Sequence, residues 1–262
     1  MQSDRVKGEE MIDIHAHILP GIDDGAMDMY DTLEMARIAA DSGITRMIAT
    51  PHCNLPGLYQ NYFGEAYVSA VKKAREAIRK EGIPLELLPG MEVFSTPDLP
   101  GLLTSGKIMP LNQGRYLLME FSFEEDPEYA EELLERVCPT GVRPVIAHAE
   151  RYHFVQDDPQ LAYEWRKKGY LIQINKGSVL GKFGERAMDT AYALLEHHLV
   201  SAVASDAHSP LQRTPYMQDA WEALSGRFPE RYLKILFEEN PRRICESLPT
   251  QRFPLKSFLS ED

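Results

Sequence analysis

The chain has 262 residues, 44% apolar and 26% charged, enough for one large domain with a substantial core; that balance excludes a disordered or fibrous protein. Its 40 acidic against 28 basic residues give a formal net charge of −12, which argues against a broad nucleic-acid or anionic-membrane surface. The three cysteines, Cys53, Cys138 and Cys245, make no disulfide framework of the secreted kind and point to a reducing cytoplasm.

The opening ten residues, MQSDRVKGEE, are polar with no signal-like apolar stretch; they read as an extension and leave Met11 as a second candidate start. No run of about 18 apolar residues speaks for membrane insertion. With no repeat or Pro/Gly/Ser-rich linker, a single domain is expected over 11–248, followed by a tail over 249–262. Short apolar, β-rich runs end near Ile14, Thr50, Met91, Phe121, Ala147, Ile174 and Ser205, and amphipathic stretches of helical length follow most of them. The first helix is expected between Asp28 or Asp31 and Gly43, with Leu33, Ala36, Ile38 and Ala40 on or beside one face. The second is expected from about Asn61 to Glu81, stopping at Gly82. Its Lys72, Lys73, Arg75, Arg79 and Lys80 read as a solvated face, with an acidic partner as the alternative. Seven βα-like units mean a parallel sheet, and at this length a closed or nearly closed barrel is favoured over an open doubly wound sheet.

The residues that follow each apolar run carry the chemistry. The runs lead into His15-Ala16-His17, His52, Glu92, Glu120, His148 and Asp206-Ala207-His208. In a parallel barrel all strand C-termini meet at one rim, so these eight potential metal ligands converge there. Residues i and i+2 of an extended segment share a side, which turns both His15 and His17 inward, and likewise Asp206 and His208. Asp24 follows in the loop after the first run and can join them. One buried histidine is usually a hydrogen-bonded core residue, and one carboxylate at a strand end is commonly a helix cap. Capping would not select imidazole at four separate strand ends. His153, His197 and His198 fall elsewhere and are left as surface or supporting residues.

The segments Met11–Gly25 (MIDIHAHILPGIDDG), Ala49-Thr-Pro-His52, Gly90-Met-Glu92, Ile146–Tyr152 (IAHAERY) and Ala204-Ser-Asp-Ala-His208 resemble the PHP (polymerase and histidinol phosphatase) superfamily. They are most similar to its bacterial capsule-biosynthesis tyrosine-protein phosphatases, in consistent order from about Met11 to Ile244. The resemblance implies a distorted (β/α)7 barrel of the PHP type and a centre of three divalent metal ions, usually manganese. One ion would take His15, His17, Glu92 and Asp206, with Glu92 bridging to a second held also by Glu120 and His148; Asp24, His52 and His208 would hold the third. Relatives nearer the histidinol phosphatases often carry histidines where this chain has Asp24 and Glu120, which directs the reading to the capsule-type subgroup.

Mixed imidazole and carboxylate donors suit Mn²⁺, Fe²⁺ or Zn²⁺. Three such ions bring six positive charges against the four carboxylates of Asp24, Glu92, Glu120 and Asp206, leaving a cationic pocket suited to a phosphate dianion. Arg151 and Arg213, close behind His148 and His208, can each offer a guanidinium fork to phosphate. Alone, either would sooner pair with a surface carboxylate; the resemblance places both at the substrate. Asp206 or His208 can assist the leaving oxygen. The uncharged loop Cys53–Phe63 carries three aromatics that either border the pocket or dock the loop.

The expected activity is that of a metal-dependent phosphomonoesterase acting on phosphotyrosyl protein, with a bacterial tyrosine kinase controlling capsule or exopolysaccharide export as the implied partner and no nucleic-acid substrate. The alternatives are a small-molecule phosphatase of the histidinol-phosphate type and a noncatalytic, metal-stabilised binding module. Cys138-Pro-Thr-Gly-Val-Arg143 approaches the C-x5-R phosphate loop of thiol phosphatases, but it is one residue short and precedes an apparent strand.

Overall fold

A computed structural model describes residues 10–259; the expected N-terminal extension lies outside them apart from Glu10. Among the described residues, nine parallel strands occupy seven positions. They are β1 (Met11–Ala16), β2 (Ile44–Ala49), β3 (His52–Cys53), β4 (Glu86–Pro89), β5 (Glu92–Phe94), β6 (Tyr116–Glu120), β7 (Arg143–Ile146), β8 (Leu171–Asn175) and β9 (Ala202–Ala204). One ladder runs β1-β2-β4 and the other β3-β5-β6-β7-β8-β9. The second and third positions are each broken into two strands. Thr50-Pro51 separates β2 from β3, and Gly90-Met91 separates β4 from β5.

These breaks have local causes. Proline has no N–H for a ladder, and the Thr50 N–H turns instead to the Ala16 carbonyl, 2.9 Å away. At Gly90 a Cβ would come within 2.5 Å of the Ile48 side chain. The Tyr67 hydroxyl clamps this glycine, donating to its carbonyl at 2.8 Å and accepting from its N–H at 2.9 Å.

The curled sheet is tied across its ends. The His17 N–H donates to the Ala207 carbonyl at 2.8 Å, and the Asp206 N–H to the His15 carbonyl at 2.9 Å. The buried Asp13 carboxylate adds bonds from the Ser205 N–H at 3.0 Å and hydroxyl at 2.5 Å. Ile12, Ile14, Ile48, Leu88, Leu118, Val145, Leu171 and Ala202 pack with their neighbours as one cluster inside the barrel, and a larger cluster joins the outer strand faces to the helices.

Period-two alternation carries this interior up to the rim: Leu118 to Glu120 on β6, Leu171 to Gln173 and Asn175 on β8, Ala202 and Ala204 to Asp206 after β9. On β1 the period shifts. Asp13 pairs with Met47 and Ala16 with Ala49, so three steps on β1 match two on β2. This extra residue is a β-bulge, and it lets Ile12 and Ile14 fill the barrel while His15 and His17 face the same side above them.

The first helix, α1 (Met29–Asp41), is capped by Asp28, whose carboxylate accepts from the Tyr30 and Asp31 N–H groups. Its buried stripe is Thr32, Met35, Ala36 and Ala39, the i, i+3, i+4, i+7 set. The expected face is therefore corrected: Leu33, Ile38 and Ala40 are only half-buried. The second helix, α2 (Glu65–Lys80), starts four residues later than expected. The preceding loop is anchored separately by the Asn61 amide, which donates to the carbonyls of Ile22 and His52.

Candidate metal centre

All nine expected ligands come together at the strand C-termini. Glu92 lies at the middle. His15 Nε2 is 3.1 Å and His148 Nε2 3.0 Å from its Oε1; His17 Nε2 is 3.2 Å and His52 Nδ1 3.1 Å from its Oε2. Asp206 Oδ1 lies 3.4 to 3.6 Å from His15, His17 and His208. Glu120 faces His52 at 3.4 Å and His148 at 3.6 Å. Asp24 lies 3.5 Å from both His52 and His208. Three overlapping groups each bring ligand atoms within 4.8 Å of one another: His15, His17 and Glu92; His52, Glu92 and Glu120; His17, Asp24, His52 and His208. His17, His52 and Glu92 each belong to two groups, so the geometry allows more partitions among ions than the one the resemblance implies.

The donor set fits cations better than it fits itself. His52 Nδ1, Glu92 Oε2, Glu120 Oε2 and His148 Nδ1 are buried without a hydrogen-bond partner. The first three crowd together at 3.1 to 3.4 Å, close but not aligned for proton sharing. An unsatisfied buried polar group costs about 1–3 kcal/mol, and divalent ions would satisfy several at once.

The electrostatics show the same tension. Burial disfavours charge on His52, yet Glu92 and Glu120 hold its imidazole up to about 10. Burial also opposes charge on His15 and His17, but carboxylates raise both: Glu92 and Asp206 around His15, and chiefly Asp23 beside His17. The His208 ring lies 3.9 Å from the His17 ring; burial and the His17 charge push it down to about 2. Despite burial, the surrounding imidazoles hold Glu92 and Asp206 well below the usual carboxylate range.

Residues that sequence reasoning missed hold the ligands in place. Asp23 Oδ2 lies 2.8 Å from His17 Nδ1 and accepts from the His52 N–H at 3.0 Å. Gly25 lets this loop approach, since a Cβ there would lie 2.1 Å from the His17 carbonyl. Gln173 Oε1 meets His15 Nδ1 at 2.9 Å and the His148 N–H at 3.1 Å. Its amide donates to Asn175 Oδ1 at 2.8 Å, and Asn175 Nδ2 donates to Asp206 Oδ2 at 2.6 Å. The β8 strand thus braces ligands from β1, β7 and the segment after β9. The i, i+2 amides at a strand end were the available signal, but amides are common capping residues.

Arg213 donates to Asp206 Oδ2, and Arg151 Nη1 lies 3.7 Å from the same oxygen. Both face the cluster. Arg151 is sandwiched by Phe123 and Phe183, each ring centroid 4.4 Å from its guanidinium carbon. His148, Asp206 and Arg213 have φ of 34°, 50° and 49°, the left-handed region that costs a non-glycine residue about 1–3 kcal/mol. In the loop after β3, Tyr59 stacks on His52 at 5.9 Å, while Tyr62 docks to Asn54. Cys138 lies ahead of β7, at the opposite end of the strand from His148; burial pushes its thiol up and its Sγ contacts the Leu134 carbonyl. His153 is exposed, and His197 and His198 meet the C-terminal segment through Lys256 and Pro254.

The fold and cluster define a parallel α/β barrel-like protein whose strand ends carry a histidine–carboxylate, metal-competent site. The family model for capsular polysaccharide synthesis, CpsB/CapC, matches residues 11–246, and the chain belongs to that family. Tyrosine-protein phosphatase YwqE of Bacillus subtilis (strain 168) is 38% identical over 244 residues, spanning 93% of this chain and 95% of YwqE. Tyrosine-protein phosphatase CpsB of Streptococcus pneumoniae is 31% identical over 239 residues, spanning 89% of this chain and 98% of CpsB. A crystal structure from work on these two, described as unique metal-dependent tyrosine phosphatases, matches with TM-score 0.87 and 37% identity, covering 95% of this chain and 100% of that one. The phosphotriesterase homology protein of Escherichia coli shares the fold, with TM-score 0.57 at 12% identity over 90% of this chain and 98% of its own.

Proposed function

We propose that the protein is a metal-dependent protein-tyrosine phosphatase, acting in the cytoplasm on a phosphotyrosyl protein, namely a bacterial tyrosine kinase that controls capsule or exopolysaccharide export. The observation that carries this reading is the convergence of five histidines and four carboxylates, several of their atoms unsatisfied, beside two inward-facing arginines. The names of the YwqE and CpsB relatives support the same chemistry.

His15, His17, Asp24, His52, Glu92, Glu120, His148, Asp206 and His208 would hold three divalent ions, preferentially Mn²⁺, with Glu92 shared between two. When bound, such ions supply Lewis-acid stabilisation of phosphoryl oxygens and an activated water for in-line attack. The protein's own groups do the rest. Arg151 and Arg213 bind and orient the phosphate through charge-assisted bonds. Phe123 and Phe183 fix the Arg151 plane, and Tyr59 offers a ring beside His52 for the substrate side chain. A phenolate leaves readily, so the assistance expected of Asp206 or His208 is dispensable, in keeping with two groups that both lose their acidic proton well below neutral pH.

The test compares a phosphotyrosyl peptide, a phosphoseryl peptide and histidinol phosphate on Mn²⁺-loaded protein. Preference for the first, abolished by chelation and restored by Mn²⁺, is expected. Preference for histidinol phosphate would favour the small-molecule reading, and inactivity at full metal occupancy the binding module.

A further inference from the structure

A groove runs along the outer side of α2. Its upper part, about 490 Å³, is lined by Phe63, Tyr67, Val68, Val71, Pro89, Met109 and Gln113, with three cations, Lys72, Arg75 and Arg79, and one carboxylate, Glu76, at its edge. A second depression of about 560 Å³ shares Arg75 and Arg79 and continues toward Gly82 and Leu87. Helical spacing explains this face. Val68, Lys72, Arg75 and Arg79 fall on one stripe, while Tyr67, Val71, Ala74 and Ile78 pack inward. Phe63 and Val68 remain 42% and 48% exposed.

The charge is equally local. In a chain of net charge −12, α2 holds the cations Lys72, Lys73, Arg75, Arg79 and Lys80 against the carboxylates Glu65 and Glu76. Lys72 reaches Glu76 only at 3.9 Å, and Arg75 Nε donates to the Leu87 carbonyl. Lys73, Arg79 and Lys80 meet no carboxylate among the described residues. A merely solvated face would scatter these cations; here three of them border an apolar cleft.

Two walls of the groove are tied to segments that carry the metal centre. Phe63 closes the loop whose Tyr59 stacks on His52, and Tyr67 clamps Gly90 just before Glu92.

We propose that the α2 groove docks an acidic segment, bearing at least one large apolar side chain, of the phosphotyrosyl protein on which the metal centre acts. The proposal rests on the phosphatase reading above. Apolar side chains of the segment pack on Phe63 and Val68 above the buried Val71 and Met109, and its carboxylates meet Lys72, Arg75 and Arg79. Rim charges of this kind set partner choice and association rate, and salt weakens them.

The test uses Mn²⁺-loaded full-length protein and a phosphotyrosyl peptide made with and without an appended segment of Asp, Glu, Phe and Leu. The appended segment should lower KM roughly tenfold, and high salt should erase the gain. Lys72→Glu/Arg79→Glu and Val68→Asp should each abolish the gain while turnover of p-nitrophenyl phosphate stays unchanged. Fluorescence anisotropy of the labelled segment, without phosphotyrosine, reads the groove independently and should lose its signal in both variants. No gain from the segment, or a gain that survives both variants, would overturn the proposal. So would a wild-type dimer that Val68→Asp dissolves in sedimentation, which would place a second copy in the groove. Failure to turn over any phosphotyrosyl probe would instead count against the phosphatase reading, because anisotropy reports docking without catalysis.

Discussion

Arg151 lies over two phenylalanine rings, 4.4 Å from each centroid, and is aimed at Asp206, 3.7 Å away, a placement that serves an incoming anion better than it serves a salt bridge. Replacing Arg151 or Arg213 with Ala should leave metal stoichiometry intact and lower kcat/KM ten- to a hundredfold, since a charge-assisted contact is worth about 1.5–3 kcal/mol. Lys should rescue only partly, for it lacks the planar fork. Kinetics and metal analysis on the same preparations check this; parental turnover in both Ala variants would remove the arginines from the site. Glu92→Ala should have the opposite signature. It deletes the carboxylate nearest four imidazoles, so metal content and turnover should fall together. Cys138→Ser should leave turnover unchanged, as expected for a half-buried thiol bonded to a helix carbonyl.

At the scale of elements, β8 contributes no imidazole or carboxylate at its end, yet Gln173 and Asn175 link His15, His148 and Asp206. Groups that orient metal ligands typically govern 10–100-fold in metal affinity. Gln173→Ala should therefore weaken Mn²⁺ binding by about that factor, read by calorimetric titration, while far-ultraviolet circular dichroism stays parental. Unchanged affinity would reduce the β8 amides to core hydrogen bonding. The break at Gly90 belongs to the same scale. A methyl there meets the Ile48 side chain at 2.5 Å, and Gly90→Ala should cost about 1–3 kcal/mol by overpacking, visible as a lower denaturation midpoint.

For the whole molecule, the centre stores charge that metal would replace. At neutral pH the metal-free protein keeps His52, with a value of about 10, protonated, and the neighbouring carboxylates raise His15 and His17 in the same direction. Loading with Mn²⁺ at pH 7 should release protons, and calorimetric heats should differ between buffers of different ionisation enthalpy; buffer-independent heats would contradict this. The linkage has a definite sign. His52 is raised above its ordinary 6.5, so its contribution to metal-free stability is complete below 6.5 and is lost as pH rises through about 10. His208 is depressed to about 2, so stability instead declines as pH falls below 6.5. Mn²⁺ at a hundred times its Kd should add about 2.7 kcal/mol, and thermal unfolding with and without chelator measures it.

The parallel β/α architecture and the chemistry of the rim were legible along the chain, because strand period is a local property and a helix-length crossover between successive strands makes them parallel. The histidines and carboxylates that follow six of the seven apolar runs had to arrive at one end once the strands ran parallel. How those ligands are oriented and shared depends on long-range contacts. The bulge in β1 resets which side His15 faces, and it appears only in the pairing of Asp13 and Ala16 with β2. The bracing of His15 and His148 by Gln173 spans 158 and 25 residues of chain, and the aromatic grip on Arg151 comes from Phe123 and Phe183 on separate loops. The same holds for the α2 face: its basic stripe was legible from helical spacing, but Pro89 and Met109 had to fold against it before the stripe became the edge of a groove. Contacts between residues far apart in sequence leave no periodic trace, so they are settled by packing alone.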